Sequence, residues 1–88
     1  MHERIVTVAN PAGLHARPAA RFVRAAAAQP AEVAIGRPGQ DTVPAASILS
    51  VMTLGIGPGE RVVLRADGDG AQEALDALAT LLERDAES

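Results

Sequence analysis

The stretch of this sequence best suited to chemistry is Gly13-Leu14-His15-Ala16-Arg17-Pro18-Ala19-Ala20, which places a histidine two residues before an arginine. Pro18 suits the first turn of a helix, because the amide that proline lacks would have no intrahelical partner there. His15 is therefore predicted to lie at a helix N-terminus, where unsatisfied amides and the helix dipole favour an anion. The guanidinium of Arg17 adds donors in the planar arrangement that suits phosphate oxygens. Together these residues predict a site for a phosphate-like anion.

Nucleophilic chemistry at this site depends on the imidazole of His15. A neutral imidazole nitrogen can accept a phosphoryl group and pass it on. The sequence shows no cysteine, no metal-ligand spacing, no Ser-His-acid arrangement and no glycine-rich phosphate loop. Taken alone, a histidine at a helix start is more often a structural polar residue. We expect no metal and no cofactor, and we assign no function to His2 near the N-terminus.

The same eight residues resemble the active-site signature of HPr, the histidine phosphocarrier family of the bacterial phosphoenolpyruvate:sugar phosphotransferase system. A second stretch, Ser47-Ile48-Leu49-Ser50-Val51-Met52-Thr53-Leu54-Gly55, is similar to the regulatory-serine segment of that family. The resemblance covers essentially the whole chain. Local departures are Ala12, where many members have a polar residue, Ser50, where many have glycine, and the absence of lysine.

The resemblance implies a phosphoryl carrier rather than a stand-alone enzyme. His15 would accept the phosphoryl group from phospho-enzyme I and pass it to enzyme IIA domains in sugar uptake, with Arg17 stabilising the phosphate. Ser47 would be a regulatory phosphorylation site, which adds a serine kinase/phosphorylase to the implied partners. Two alternatives stay open. One is an HPr-fold module that is regulatory or serves a dihydroxyacetone or nitrogen branch of phosphotransfer, and the other is an α+β domain that binds a ligand non-covalently.

Local patterns predict elements in the order β-α-β-β-α-β-α. Alternating or β-branched residues between turn signals predict four strands, at 3–9, 32–36, 41–43 and 60–66. Helical spacing of apolar residues predicts three helices, at 16–28, 47–54 and from about 70 to 84. Ser47 and Asp69 are the predicted N-caps of the last two helices, Pro44 is expected to end the third strand, and residues 85–88 are expected to fray.

Apolar stripes on the helices predict one sheet that is covered on one face, an α+β open-faced sandwich. The resemblance implies a four-stranded sheet in the order 1-4-2-3, with three helices on one side, in a single HPr-like domain spanning residues 1–88. The fourth strand has the most apolar centre, which suits an interior position in that sheet.

Two surface features near His15 suggest a docking surface for proteins. Three arginines, here called the arginine row, recur at helical spacing opposite the apolar stripe: Arg17, Arg21 and Arg24. Part of the short second helix, here called the apolar patch, is expected to be exposed: Ile48, Leu49 and Met52. The plain alternatives are a solvated face for the first and full burial for the second.

Composition restricts the class of protein. The 88 residues suffice for one small core, and the lack of cysteine excludes thiol and disulfide chemistry. Phe22 is the only aromatic residue, which disfavours nucleic-acid sites built on base stacking, and the net charge of −3 disfavours a general polyanion binder. The sequence contains no long apolar run of the kind that indicates a signal peptide or membrane insertion. We therefore expect a cytoplasmic protein, and a monomer.

Overall fold

A computed structural model describes residues 1–84, which form a four-stranded antiparallel sheet in the order β1-β4-β2-β3. The strands are β1 (His2–Thr7), β2 (Val33–Gly36), β3 (Val43–Pro44) and β4 (Arg61–Ala66). The helices are α1 (Ala16–Ala27), α2 (Ile48–Thr53) and α3 (Ala71–Arg84). The predicted fold class, element order and strand order are confirmed. The expectation for residues 85–88 lies outside the described residues.

The helices cover one face of the sheet because alternate strand residues on that face are apolar. Val6 of β1 and Leu64 of β4 belong to the same buried cluster as Phe22 of α1 and Leu78 of α3. On the opposite face of β1, Glu3 and its alternate neighbours are exposed. One face of the sheet therefore packs against the helices while the other faces solvent, which is the open-faced sandwich expected from the apolar stripes.

The interior and the edge of the sheet follow from the residues of β4 and β3. β4 pairs with both β1 and β2, and its centre at 62–64 is buried, as its apolar sequence predicts. β3 differs from the prediction, because the strand expected at 41–43 lies at Val43–Pro44, and Pro44 is its last residue and pairs with Ala34 of β2. Proline is tolerated there because β3 is an edge strand, where one side of the backbone needs no hydrogen-bond partner in the sheet.

Of the two predicted N-caps, the one for α2 is correct and the one for α3 is wrong. Ser47 is the N-cap of α2, and its hydroxyl accepts a hydrogen bond from the Ser50 amide at 3.3 Å. In α3 the first intrahelical bond runs from the Ala74 amide to the Gly70 carbonyl, so Gly70 and not Asp69 is the N-cap. Gly70 has a φ of +81°, which lets the turn continue one residue further before the helix begins.

Candidate functional site

His15 is the N-cap residue of α1. Its backbone is extended, with φ −91° and ψ 178°, and its carbonyl accepts the hydrogen bond of the Ala19 amide at 2.8 Å. The side chain makes no capping hydrogen bond, and the residue is exposed. Since serine, threonine, aspartate and asparagine are the side chains that cap helices well, a histidine here leaves its imidazole available rather than using it for stability.

Buried residues flank His15 on both sides. Leu14 precedes it and Pro18 follows it in the first turn of α1, and both are buried, whereas His15 and Arg17 are exposed. By helix geometry, the amides of Ala16 and Arg17 have no acceptor within the helix. The structure therefore places the imidazole, two first-turn amides and the arginine at one exposed helix end, as the sequence predicts. This arrangement suits an anion that is reached from solvent.

The loop before α1 is held by its own backbone and by Asn10. The buried side chain of Asn10 accepts a hydrogen bond from the Ala12 amide at 2.7 Å. The backbone carbonyl of Asn10 accepts a second one from the Gly13 amide at 2.8 Å. Sequence reasoning did not single out Asn10. The signal that could have revealed it is the Asn-Pro-Ala-Gly pattern, because asparagine side chains commonly accept from the amide two residues later.

A second loop, residues 54–57 after α2, supports the first one and is here called the supporting turn. The Leu14 amide donates to the Ile56 carbonyl at 2.9 Å. Gly13 has a φ of +62°, and a Cβ at this position would collide with the Ile56 carbonyl and lie 2.9 Å from two backbone atoms of Gly57. Position 13 therefore requires glycine for two reasons, which are the positive φ and the close approach of the supporting turn.

Arg37 and Glu60 in turn hold the supporting turn. Arg37 donates to the carbonyls of Leu54 and Gly55 at 2.6 and 3.2 Å, and to both carboxylate oxygens of Glu60 at 3.0 and 3.1 Å. Glu60 also accepts from the Gly57 amide at 2.7 Å. The hydrogen bond from Arg37, and after it the one from Gly57, lower the pKa of Glu60 from its ordinary value of 4.5. Because Arg37 and Glu60 are 23 positions apart, no local pattern announces the pair.

The two predicted surface features lie on helices that pack against each other, α1 and α2. In the arginine row, Arg17 and Arg24 are exposed and Arg21 is half-buried. The apolar patch is exposed, with fractions of 38%, 77% and 42% for Ile48, Leu49 and Met52, respectively. Full burial of this helix is therefore wrong, and α2 is anchored instead by buried Val51.

The surroundings of His15 are open. A groove between the end of α1, β3 and the end of β4 contains neither His15 nor Arg17. Over residues 1–84, no group of three or more His, Cys, Asp or Glu side chains is arranged to hold a metal ion. The helices of the same residues are all too short or too polar to cross a membrane.

Comparison with known proteins identifies the family of this chain. The family model described as "PTS HPr component phosphorylation site" matches residues 2–84. The phosphocarrier protein HPr of Haloferax volcanii is 53% identical over 81 residues, covering 91% of each chain. The crystal structure of HPr-C-His from Thermoanaerobacter tengcongensis aligns with a TM-score of 0.89 at 39% identity, covering 97% of this chain and 94% of that one.

A second structure from Thermoanaerobacter tengcongensis, described as an HPr dimer, aligns with a TM-score of 0.72 at 40% identity and covers 94% of each chain. The expected monomer therefore stays a prediction. The family assignment is independent of oligomeric state, since both the family model and the Haloferax volcanii relative match nearly the full length of the chain. The chain belongs to the HPr family of the phosphotransferase system, whose members are phosphocarrier proteins rather than stand-alone enzymes, as the sequence predicts.

Proposed function

We propose that His15 carries a phosphoryl group in sugar uptake, accepting it from phospho-enzyme I and passing it to enzyme IIA domains. The observation that supports this most is the N-cap position of His15, where the side chain is exposed and makes no capping hydrogen bond. A histidine there contributes little to the helix start. Its value to the protein is therefore its chemistry, and membership of a phosphocarrier family indicates which chemistry that is.

In the first transfer, a neutral imidazole nitrogen of His15 attacks the phosphorus of the donor. A P–N bond to His15 forms as the donor's bond to phosphorus breaks, and the donor group leaves with the electron pair of that bond. In the second transfer His15 is the leaving group and the acceptor is the nucleophile. Charge spread over the phosphoryl oxygens is neutralised by Arg17 and by the first-turn amides of Ala16 and Arg17.

The arginine row and the apolar patch form the proposed docking surface for both partners. Positive charge on α1 speeds encounter with an acidic partner face, and the exposed apolar side chains of α2 are buried on docking. A single open surface suits a carrier that must meet a donor and an acceptor in turn. Phosphorylation of Ser47 by a serine kinase would regulate this docking, because Ser47 directly precedes the apolar patch.

Incubation with enzyme I and labelled phosphoenolpyruvate tests the assignment. We expect one phosphoryl group per chain, labile to acid and stable to base. His15→Asn should abolish uptake, whereas His2→Asn, which changes the other histidine of the chain, should leave it unchanged. Label on the His15→Asn protein would show that the site is wrong. Asparagine is a favourable N-cap residue, so that loss of folding does not confuse the result.

Titration of the phosphorylated protein with different acceptors then separates the alternatives. Transfer to sugar-specific enzyme IIA domains supports the proposal. Transfer only to acceptors of a nitrogen or dihydroxyacetone branch would assign the chain to that branch. Failure of the unmodified protein to form any adduct would instead favour non-covalent ligand binding by the same α+β fold.

A further inference from the structure

We infer that Arg37 and Glu60 are positioning residues for His15, because they hold the supporting turn against the loop that presents the imidazole. The inference rests on the proposed phosphoryl transfer at His15. Neither residue belongs to the arginine row or the apolar patch, and neither lies in the loop or helix that carries the histidine. Their effect would reach His15 through backbone contacts alone.

The first step is the hold on the end of α2. The last carbonyls of a helix have no partner within the helix. Arg37 donates to the carbonyl of Leu54, the C-cap residue of α2, and to that of Gly55, which follows it. Its positive charge also suits the negative end of the helix dipole. Glu60 fixes the guanidinium by accepting two of its hydrogen bonds, an arrangement with strong geometric preference. The beginning of the supporting turn is thus tied to the two side chains.

The second step is the hold on the other end of the turn. Glu60 Oε2 accepts a hydrogen bond from the Gly57 amide at 2.7 Å, which is shorter than the bond of 3.1 Å that the same oxygen accepts from Arg37. Residues 54–57 are therefore bound at 54 and 55 by Arg37 and at 57 by Glu60. Ile56 lies between these points and is fully buried. Its carbonyl is consequently a fixed acceptor.

The third step carries this rigidity to the histidine. The Leu14 amide donates to the Ile56 carbonyl, and Gly13 packs against the backbone of Gly57 with no room for a Cβ. Residues 13–14 cannot keep their position if the supporting turn moves. His15 follows Leu14 directly, and its own side chain has no capping bond to hold it. In-line transfer depends on placement of the nucleophile to within a fraction of an ångström.

The ion pair between Arg65 and Glu3 provides a matched control. It joins Arg65 Nε to Glu3 Oε2 at 2.6 Å across the β1–β4 ladder, and the Arg65 side chain is about as exposed as that of Arg37, at 36% against 32%. Exposed pairs of this kind contribute little to stability. If Arg37 acted only as a surface ion pair, Arg37→Met and Arg65→Met would have similar consequences.

The experiment compares Arg37→Met, Glu60→Gln and Arg65→Met in the full chain by two measurements. Amide hydrogen exchange of Leu14, read by NMR, reports its bond to Ile56. Steady-state transfer from phospho-enzyme I, separated into kcat and KM, reports placement of the nucleophile. We expect Arg37→Met to speed Leu14 exchange and to lower kcat by about tenfold with KM changed by less than about twofold. Arg65→Met should match the unmodified protein in both measurements. Glu60→Gln should give a Leu14 exchange rate and a kcat between those of Arg37→Met and Arg65→Met.

Equal behaviour of Arg37→Met and Arg65→Met would overturn the inference, and so would unchanged Leu14 exchange. If Arg37→Met does not fold, Arg37→Lys takes its place, because lysine keeps the charge but lacks the planar fork that bonds two carbonyls and a carboxylate together. A change in KM alone would also overturn it, since that would indicate a role in docking. Failure of the unmodified protein to accept phosphate would refute the proposed function, while Leu14 exchange would still decide the structural coupling.

Discussion

Replacing Gly13 by alanine probes how firmly the supporting turn fixes the loop before α1. Gly13 has a φ of +62°, where a residue with a Cβ is destabilised by about 1–2 kcal/mol. The added Cβ would also collide with the Ile56 carbonyl and lie 2.9 Å from the carbonyl carbon and Cα of Gly57. The two Gly57 atoms would have to recede by roughly 0.5 Å to reach ordinary contact, and the Ile56 carbonyl by more. That movement would weaken the hydrogen bond between Leu14 and Ile56.

Gly55→Ala separates the strain of the φ angle from the collision. Gly55 has a φ of +63°, almost the same as Gly13, but a Cβ there would meet nothing within 4 Å. The steric contact costs about 1–3 kcal/mol and the weakened hydrogen bond about 0.5–1.5 kcal/mol. We therefore expect Gly13→Ala to be less stable than Gly55→Ala by about 2–4 kcal/mol, which corresponds to roughly 10–30 °C in Tm for a domain of this size.

Thermal unfolding followed by circular dichroism measures this difference. Phosphoryl uptake is measured below both transitions, with Gly68→Ala as the control, because Gly68 also has a positive φ and open space but follows the far end of β4. We expect uptake by Gly13→Ala to fall by about 10–100-fold, since the nucleophile is displaced. Equal melting temperatures for Gly13→Ala and Gly55→Ala would refute the reasoning, because the supporting turn would then have moved away from the added Cβ without any loss of stability.

Three further predictions concern the rest of the surface. Ser47→Ala should lower stability by about 0.5–2 kcal/mol as a lost cap and leave transfer nearly intact. Ser47→Asp should keep or raise the melting temperature, because negative charge is favourable at a helix N-terminus, and should slow transfer from phospho-enzyme I, because a charge beside the apolar patch opposes docking. Unchanged transfer would remove the regulatory role. Arg24→Glu should slow association and flatten its salt dependence, whereas Arg17→Ala should mainly slow the transfer step. Stopped-flow rates at two salt concentrations decide this, and equal, salt-independent effects would reduce the arginine row to a solvated face. Because Arg37 lowers the pKa of Glu60, the stability it provides is present at neutral pH and lost as pH falls below 4.5. The Tm of Glu60→Gln should therefore approach that of the unmodified protein between about pH 6 and pH 3, and parallel curves would contradict the effect.

Features that depend on neighbouring residues were predictable from the sequence. The cap at Ser47 needs only a hydroxyl before an apolar helix, and the interior position of β4 agrees with three consecutive buried residues at 62–64. The position of His15 at the start of α1 was predictable from Pro18, because proline is favoured in the first turn of a helix. In each case the residues that determine the feature are adjacent in the sequence.

Features that depend on distant residues were not predictable in this way. β3 was expected at 41–43 with Pro44 outside it, yet Pro44 belongs to the strand and pairs with Ala34, because the edge of the sheet leaves one side of its backbone without a neighbour. No local pattern marks Arg37, which lies between the strands predicted at 32–36 and 41–43, yet its guanidinium bonds the end of α2 and Glu60. Such contacts exist only after the sheet has brought the turns together.

The position of His15 shows why these distant contacts matter most at the candidate site. Under the proposed function, His15 is a nucleophile that two proteins must reach, and such a residue cannot be buried. A side chain that forms a capping bond would also have to break that bond before reacting. The imidazole therefore has to be placed by the backbone on either side of it. Leu14 supplies one fixed point through its burial and its bond to Ile56, and Pro18 supplies the other through its burial and its fixed φ. Since the first of these points is only as rigid as the supporting turn, the precision of an exposed histidine is determined by residues that no partner needs to touch.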